Sequence, residues 1–246
     1  MNMKRTIPLL AIALIAPAAA AAPAKPGLVL IQTESRIDID AQGKVTAIHT
    51  TPQLPPEIEK IVEDNLRKLQ YAAPIQDGKP VAGVTYALQE ACAAPVDGKY
   101  GFAVKYLGNG PSMDRRSFPF YPREMQRRGI ESKWTVEYSV APDGKGGVVA
   151  MKLKEGGGDR GEAQFKQALE YWIRTTHFEP EQLDGRPVAT RMSVDVDFVL
   201  GHPASAAERE QNKAANESCR VALEAHDDPK RAVALDSPFK LNVAAN

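Results

Sequence analysis

The stretch Asp77-Gly78-Lys79-Pro80-Val81-Ala82 returns as Asp184-Gly185-Arg186-Pro187-Val188-Ala189, and this recurrence decides how the chain is read. An internal repeat constrains a fold more than any single motif, because each copy must be one structural unit. Upstream of the two turns, at the same offset, Tyr71 falls on Phe178, and Ile58, Ile61, Val62 and Leu66 fall on Phe165, Ala168, Leu169 and Ile173. Further back, Ile37, Ile39, Gly43 and Lys44 fall on Tyr138, Val140, Gly144 and Lys145 at a slightly shorter offset. Gly146-Gly147 and the glycine-rich link from Glu155 to Gly161 take up the difference. Insertions confined to turns are what a duplicated fold tolerates.

Each copy carries the same succession of periodicities. In the first, Ile37 and Ile39 alternate with Asp38 and Asp40, Gln42-Gly43 makes a turn, and Val45 to Ile48 returns as a second strand. Pro55-Pro56 then opens a helix with Ile58, Ile61, Val62, Leu66 and Leu69 on one face, and Val81 to Leu88 reads as a further strand. In the second, Trp134, Val136, Tyr138 and Val140 alternate with Thr135, Glu137 and Ser139 before the Asp143-Gly144 turn and the strand from Val148 to Leu153. Phe165, Ala168, Leu169, Trp172 and Ile173 form the apolar stripe of the next helix. The last strand sets Met192, Val194, Val196, Phe198 and Leu200 against Arg191, Ser193, Asp195 and Asp197. The expected fold class is α+β: two βαββ-type units, each a small antiparallel sheet covered by a helix, with a helical and extended C-terminal tail. One register disagrees. Thr85 and Ala87 take the inward positions of Met192 and Val194 while the more apolar Val84, Tyr86 and Leu88 point away, which means either a bulge or a strand buried on both faces.

The remaining segments follow from composition. Lys4 and Arg5 precede an apolar run from Ile7 to Ala22 that is broken by Pro8 and Pro17 and ends in an A-x-A pattern near residues 18 to 21. This is the pattern of a secretory signal over residues 1–21. The run falls short of the roughly 20 apolar residues that span a bilayer, and an inner-membrane anchor is the alternative if the segment is retained. A linker over 22–30, the first unit over 31–92, a connecting segment over 93–120, the second unit over 121–200 and a tail over 201–246 complete the division. Tyr100 to Leu107 is a candidate extra strand in the connection. The tail divides into a polar, alanine-rich helix from Ala204 to Ala225 and an extended segment from Arg231 to Val243. Export to an oxidising compartment favours a disulfide between the two cysteines, Cys92 and Cys219.

Charge and motifs exclude several functions. Basic and acidic residues balance at 31 each in a chain of 246 residues, so no global field draws nucleic acid or an anionic membrane. His49, His177, His202 and His226 lack ligand spacing, and no metal or cofactor is expected. The pairs Asp38/Asp40 and Asp195/Asp197 alternate on strands, as a solvated face does, and Trp134 and Trp172 fall on core faces. No Gly-x-Ser-x-Gly nucleophile turn or phosphate-cradling loop is present, so neither an enzyme nor a small-molecule substrate is expected. Arg115, Arg116, Arg123, Arg127 and Arg128 form a basic cluster suited to an acidic partner segment or a phosphate group, with a charged helix face as the plainer reading.

Tyr121-Pro122-Arg123, Arg127-Arg128-Gly129-Ile130-Glu131, the strand to Asp143-Gly144, the Phe165 to Ile173 helix, Phe178-Glu179-Pro180, Asp184-Gly185-Arg186-Pro187-Val188 and the closing strand to Phe198-Val199-Leu200 occur in this order. From Tyr121 onward the sequence thereby resembles the C-terminal domain of the TonB family, and the first unit looks like a degenerate copy. The resemblance implies a periplasmic module that takes the N-terminal segment of an outer-membrane receptor, or another envelope protein, as an added strand. Carried over by position, Ser193, Val194, Asp195, Val196, Asp197, Phe198 and Val199 form the candidate edge, with Tyr121, Pro122 and Arg123 beside the partner's path. The sequence departs from the family in its short linker, in Ser132 where glycine is usual, in Thr175-Thr176-His177 before Phe178, and in the tail beyond Leu200, which is placed to cover that edge. A soluble scaffold with a duplicated TonB-like fold and no energy-transducing role is the alternative.

Overall fold

The structure is a computed structural model that describes residues 29–51, 54–96, 99–113, 118–200 and 233–242. The signal-like stretch, most of the linker, Arg115, Arg116, the Ala204 to Ala225 segment, His202, Cys219 and His226 lie outside the described residues. The first unit begins with β1 (Val29–Ile39) and β2 (Val45–Thr51), then α1 (Pro56–Leu66), which starts on Pro56 with Pro55 as its cap. The short strands β3 (Ile75–Gln76) and β4 (Lys79–Pro80) flank the Asp77-Gly78 turn and lead into β5 (Gly83–Val96). The connection supplies β6 (Lys99–Gly110) and β7 (Ser112–Met113), and α2 (Arg123–Arg127) precedes the strands of the second unit. The second unit consists of β8 (Ser132–Val140), β9 (Gly146–Gly156), α3 (Gly158–Thr175), β10 (Phe178–Glu179), β11 (Gln182–Leu183), β12 (Arg186–Pro187) and β13 (Thr190–Phe198). The tail adds β14 (Val233–Ala234).

The order within each unit is strand, strand, helix, strand, so the βαββ order is corrected. The first two strands of each unit form one tight hairpin, and the helix carries the chain across to the far side of the opening strand. β1 therefore lies between β5 and β2, and β8 between β13 and β9, all antiparallel. Backbone hydrogen bonds recur at matching positions. Asp40 N donates to Lys44 O and Ala141 N to Lys145 O, both at 2.9 Å; Tyr71 N donates to Gly43 O at 2.9 Å and Phe178 N to Gly144 O at 3.2 Å. Asp77 and Asp184 both have positive φ, 51° and 48°, each followed by a glycine in the same region, as a type I′ turn requires. Gly43 and Gly144 are needed for a second reason: a Cβ there would lie 2.0 Å from Tyr71 O and 2.5 Å from Phe178 O.

The two cores differ in quality. In the second, Trp134, Val136, Tyr138 and Val140 meet Phe165, Leu169, Trp172 and Ile173 of α3 and Met192, Val194, Val196 and Phe198 of β13. In the first, Ile37, Ile39, Val45, Ile48, Leu66 and Tyr71 pack together. Thr33, Ser35, Thr85 and Gln89 are buried beside them. The disagreement at Thr85 resolves without a bulge, since β1 and β5 pair in unbroken register from Val29/Ala93 to Ile39/Gly83. β5 is buried on both faces around Val84 to Ala87, because the second unit docks there: β11 pairs with Gly83 and Val84, and the Tyr86 hydroxyl meets Glu179. Burial, assisted by Glu179, pushes the Tyr86 phenol up to about 12.

Candidate functional site

The strand alternation of β13 sends Val194, Val196 and Phe198 into the core and leaves Ser193, Asp195 and Asp197 half-buried on the opposite face. The main-chain N–H and C=O of these three apolar residues face β8, so of the seven candidate edge residues it is Ser193, Asp195 and Asp197 whose main-chain groups line the outer side, the side on which Arg191 N and O already bond to the tail. Val199, just past the strand, is 51% exposed. Asp195 accepts hydrogen bonds from Thr135 Oγ1 and Lys154 Nζ, both at 2.7 Å. Its partial burial works against ionisation, but these two donors outweigh it and hold the carboxyl below the usual aspartate range. Arg191–Glu137 at 3.0 Å and Lys133–Glu155 at 2.7 Å continue this charged lacing over the same face.

One side of β13 is paired with β8 along its whole length. On the other side, β14 sets Ala234 opposite Met192 and Val233 opposite Ser193. Leu235 N donates to Arg191 O at 2.8 Å, and Arg191 N donates to the Asp236 carboxylate at 2.6 Å. Beyond Ser193, the outer side of β13 from Val194 to Phe198 has no strand neighbour among the described residues. An unpaired edge of this kind is a template for an incoming strand.

Tyr121 stands at the far end of that edge. Its hydroxyl donates to Ile130 O at 2.8 Å, and its ring meets Phe198 and Phe165 edge-on, with centroids 5.6 and 5.9 Å away. Burial, with Glu131 nearby, raises its pKa. Pro122 is the extended residue that caps α2. Arg123 and Arg127 are exposed on α2 and Arg128 is exposed just past its end, reaching back to Glu124 at 3.4 Å. Phe118, Phe120 and Tyr171 are also exposed, around a cleft of about 540 Å³ that Trp172 and Thr175 help to line. Among the described residues no group of three His, Cys, Asp or Glu side chains is placed to hold a metal ion, and no helix is long and apolar enough to cross a membrane.

Sequence reasoning missed the most elaborate polar site, which surrounds Glu181. This side chain is completely buried. Thr85 and Ser237 donate to its Oε1 at 2.5 and 2.7 Å, and Thr190 donates to its Oε2 at 2.7 Å. Asn109 Nδ2 continues the network to Ser237 Oγ, Phe239 O and Thr85 Oγ1, and Tyr106 and Tyr71 extend it toward α1. Burial raises the Glu181 pKa against the pull of its hydroxyl and amide partners. A Pro-Glu-Gln-Leu-Asp-Gly stretch reads as a surface turn; only the assembly of both units, the connection and the tail buries it.

The comparisons with known proteins fall on this second unit. Residues 118–200 match the family described as Gram-negative bacterial TonB protein C-terminal, and this part of the chain is a TonB C-terminal domain, of a non-enzymatic family. Protein TonB of Vibrio cholerae is 39% identical over 82 residues, which cover 33% of this chain and 32% of that protein. The chain thus spans about a third of the length of that curated relative. The solution structure of the Pseudomonas aeruginosa TonB C-terminal domain is similar at 24% identity, covering 38% of this chain and 90% of that one, with a TM-score of 0.30.

Proposed function

We propose that this chain is a periplasmic protein-binding module that takes an extended segment of an outer-membrane receptor as an added strand on β13, linked to TonB-dependent transport. The observation that carries this reading is that, among the described residues, the outer side of Val194 to Phe198 has no strand neighbour within the TonB C-terminal domain. Main-chain hydrogen bonds to that edge would provide affinity, and Ser193, Asp195, Asp197 and Val199 the side-chain selectivity. Tyr121 would fix the end of the path through its contact with Phe198, with Pro122 and Arg123 beside it. The first unit is read as a degenerate copy of the second, supported by the shared element order, strand order and turn hydrogen bonds. Cys92, buried on β5, is proposed to pair with Cys219 in the oxidising periplasm. No enzymatic activity, cofactor or nucleic-acid partner is part of this reading.

The test is a titration of the full chain, followed by amide NMR, with synthetic 15-residue peptides tiling the N-terminal periplasmic segments of the receptors of the source organism. Saturable shifts confined to Val194 to Val199 and Tyr121 are the expected result. Absence of shifts on β13 with every peptide would overturn the proposal. A scaffold role is the second reading, favoured by β6, which already fills in the first unit the edge that corresponds to the β13 outer side.

A further inference from the structure

The strand-pairing pattern shows that the chain supplies its own strand to each of the two corresponding edges. In the first unit, β6 runs antiparallel along the outer side of β5 from Tyr86/Gly110 to Val96/Lys99. That pairing is long and closes the edge. In the second unit, among the described residues, the corresponding side of β13 receives β14 alone, two residues long, with one further backbone bond at Arg191/Leu235. The remaining five residues of β13 offer about 17 Å of edge at roughly 3.4 Å per residue.

We infer that the tail segment Val233–Asn242 is a latch that occupies the start of the β13 edge and competes with an incoming strand, an inference that rests on the strand-addition reading above. The latch is anchored away from the edge. Phe239 is buried in the first unit's core beside Ile37, Tyr71 and Leu183. Ala72 N donates to Lys240 O and Asn242 N to Gln70 O, each at 2.8 Å. Ser237 is held between Glu181 and Asn109. The segment over the edge is short: β14 pairs two residues, Met192 and Ser193, the chain just after it holds Arg191 through the Leu235 N–H and the Asp236 carboxylate, and Leu235 is 46% exposed. A two-residue strand that precedes a strong anchor is the arrangement in which the strand can lift while the fold persists. Displacement would lengthen the available edge from Val194 back to Arg191, over the whole of which a longer segment could pair.

The experiment compares the full chain with the variant Leu235→Pro/Asp236→Ala, which removes the N–H and the carboxylate and leaves Phe239 and Ser237 in place. Hydrogen exchange at Trp134, Val136 and Tyr138 serves as the folding control and is expected to stay unchanged, while exchange at Arg191 and Ser193 accelerates. The probe is the same tiled set of synthetic receptor peptides. The latch predicts that peptides bind the variant roughly tenfold more tightly, equivalent to about 1.4 kcal/mol, with shifts spreading to Arg191 and Ser193. Equal affinity for both proteins, with shifts limited to Val194 to Val199, would overturn the latch and leave strand addition standing. Binding to neither protein would overturn strand addition itself, and the latch with it.

Discussion

Phe239→Ala tests whether the tail segment is part of the structure of both units. The ring is 1% exposed and packs against the first unit so closely that a Cβ on Gly83 would lie 2.5 Å from its Cζ. Truncating a fully buried phenylalanine costs about 3–5 kcal/mol through lost burial and the cavity left behind. The backbone on the far side of the residue is pinned by Ala72 to Lys240 and Asn242 to Gln70, so the cavity cannot readily close and the loss should be about 4 kcal/mol. For a chain of this size that corresponds to a fall in Tm of about 8–16 °C, at roughly 2–4 °C per kcal/mol. Calorimetry at neutral pH measures the fall, and hydrogen exchange locates it. Exchange should accelerate at Ala72 in the first unit and also at Arg191 in the second, because Asp236, the acceptor for the Arg191 N–H, loses its anchor three residues away. A loss below about 1 kcal/mol, or one whose exchange changes stop at the first unit, would refute the reasoning.

Gly43→Ala and Gly144→Ala should each destabilise the chain by about 2 kcal/mol or more, since each adds a positive-φ penalty to a collision with a carbonyl oxygen. Chemical denaturation of both variants measures this, and a neutral Gly43→Ala would break the correspondence between the units. Burial raises the Glu181 pKa in the folded chain, so the folded state holds its proton more tightly than the unfolded one. The stability of wild type relative to Glu181→Gln should therefore be highest below the unfolded carboxyl value, near 4.5, and should decline as pH rises through the raised folded value. Thermal melts of both proteins across acid and neutral pH check the sign, and a difference that grows with pH would contradict it. For the proposed bridge, thiol titration of the denatured, unreduced protein should find no free thiol. Cys92→Ser should cost roughly 2–5 kcal/mol, and two reactive thiols would exclude the pairing.

The second unit was the more legible in the sequence because the facing sides of β8, α3 and β13 are predominantly apolar. The alternation from Trp134 to Val140 and from Met192 to Phe198 appears in the structure as alternating burial, and the Asp-Gly turns lie where glycine and aspartate permit positive φ. The first unit was harder to read because part of its interior is polar and satisfied by side-chain hydrogen bonds. Ser35 pairs with Thr50 at 2.9 Å, and Thr85 donates to Glu181. Both faces of β5 are buried by elements distant in sequence, a fact that no local periodicity carries. The candidate edge was legible as a strand. Its division into a part covered by β14 and a part left open was not, since a tail of mixed composition gives no sign of where Val233 will pair. Glu181 was illegible for the same reason: its partners come from β5, β13 and the tail.

The position of the latch in the chain also orders events during biosynthesis. Every strand of the two main sheets except β14 has been made by Phe198, yet the residues that cover Arg191 to Ser193, fill the site beside Gly83 and supply Ser237 to Glu181 emerge only afterwards. Until they do, β13 presents its full outer side, and the carboxyl at the junction of the units lacks one of its donors. A nascent chain at that stage is the species most open to pairing with a strand from elsewhere, so the interval between making Phe198 and making Phe239 is when this fold is most exposed to the wrong partner.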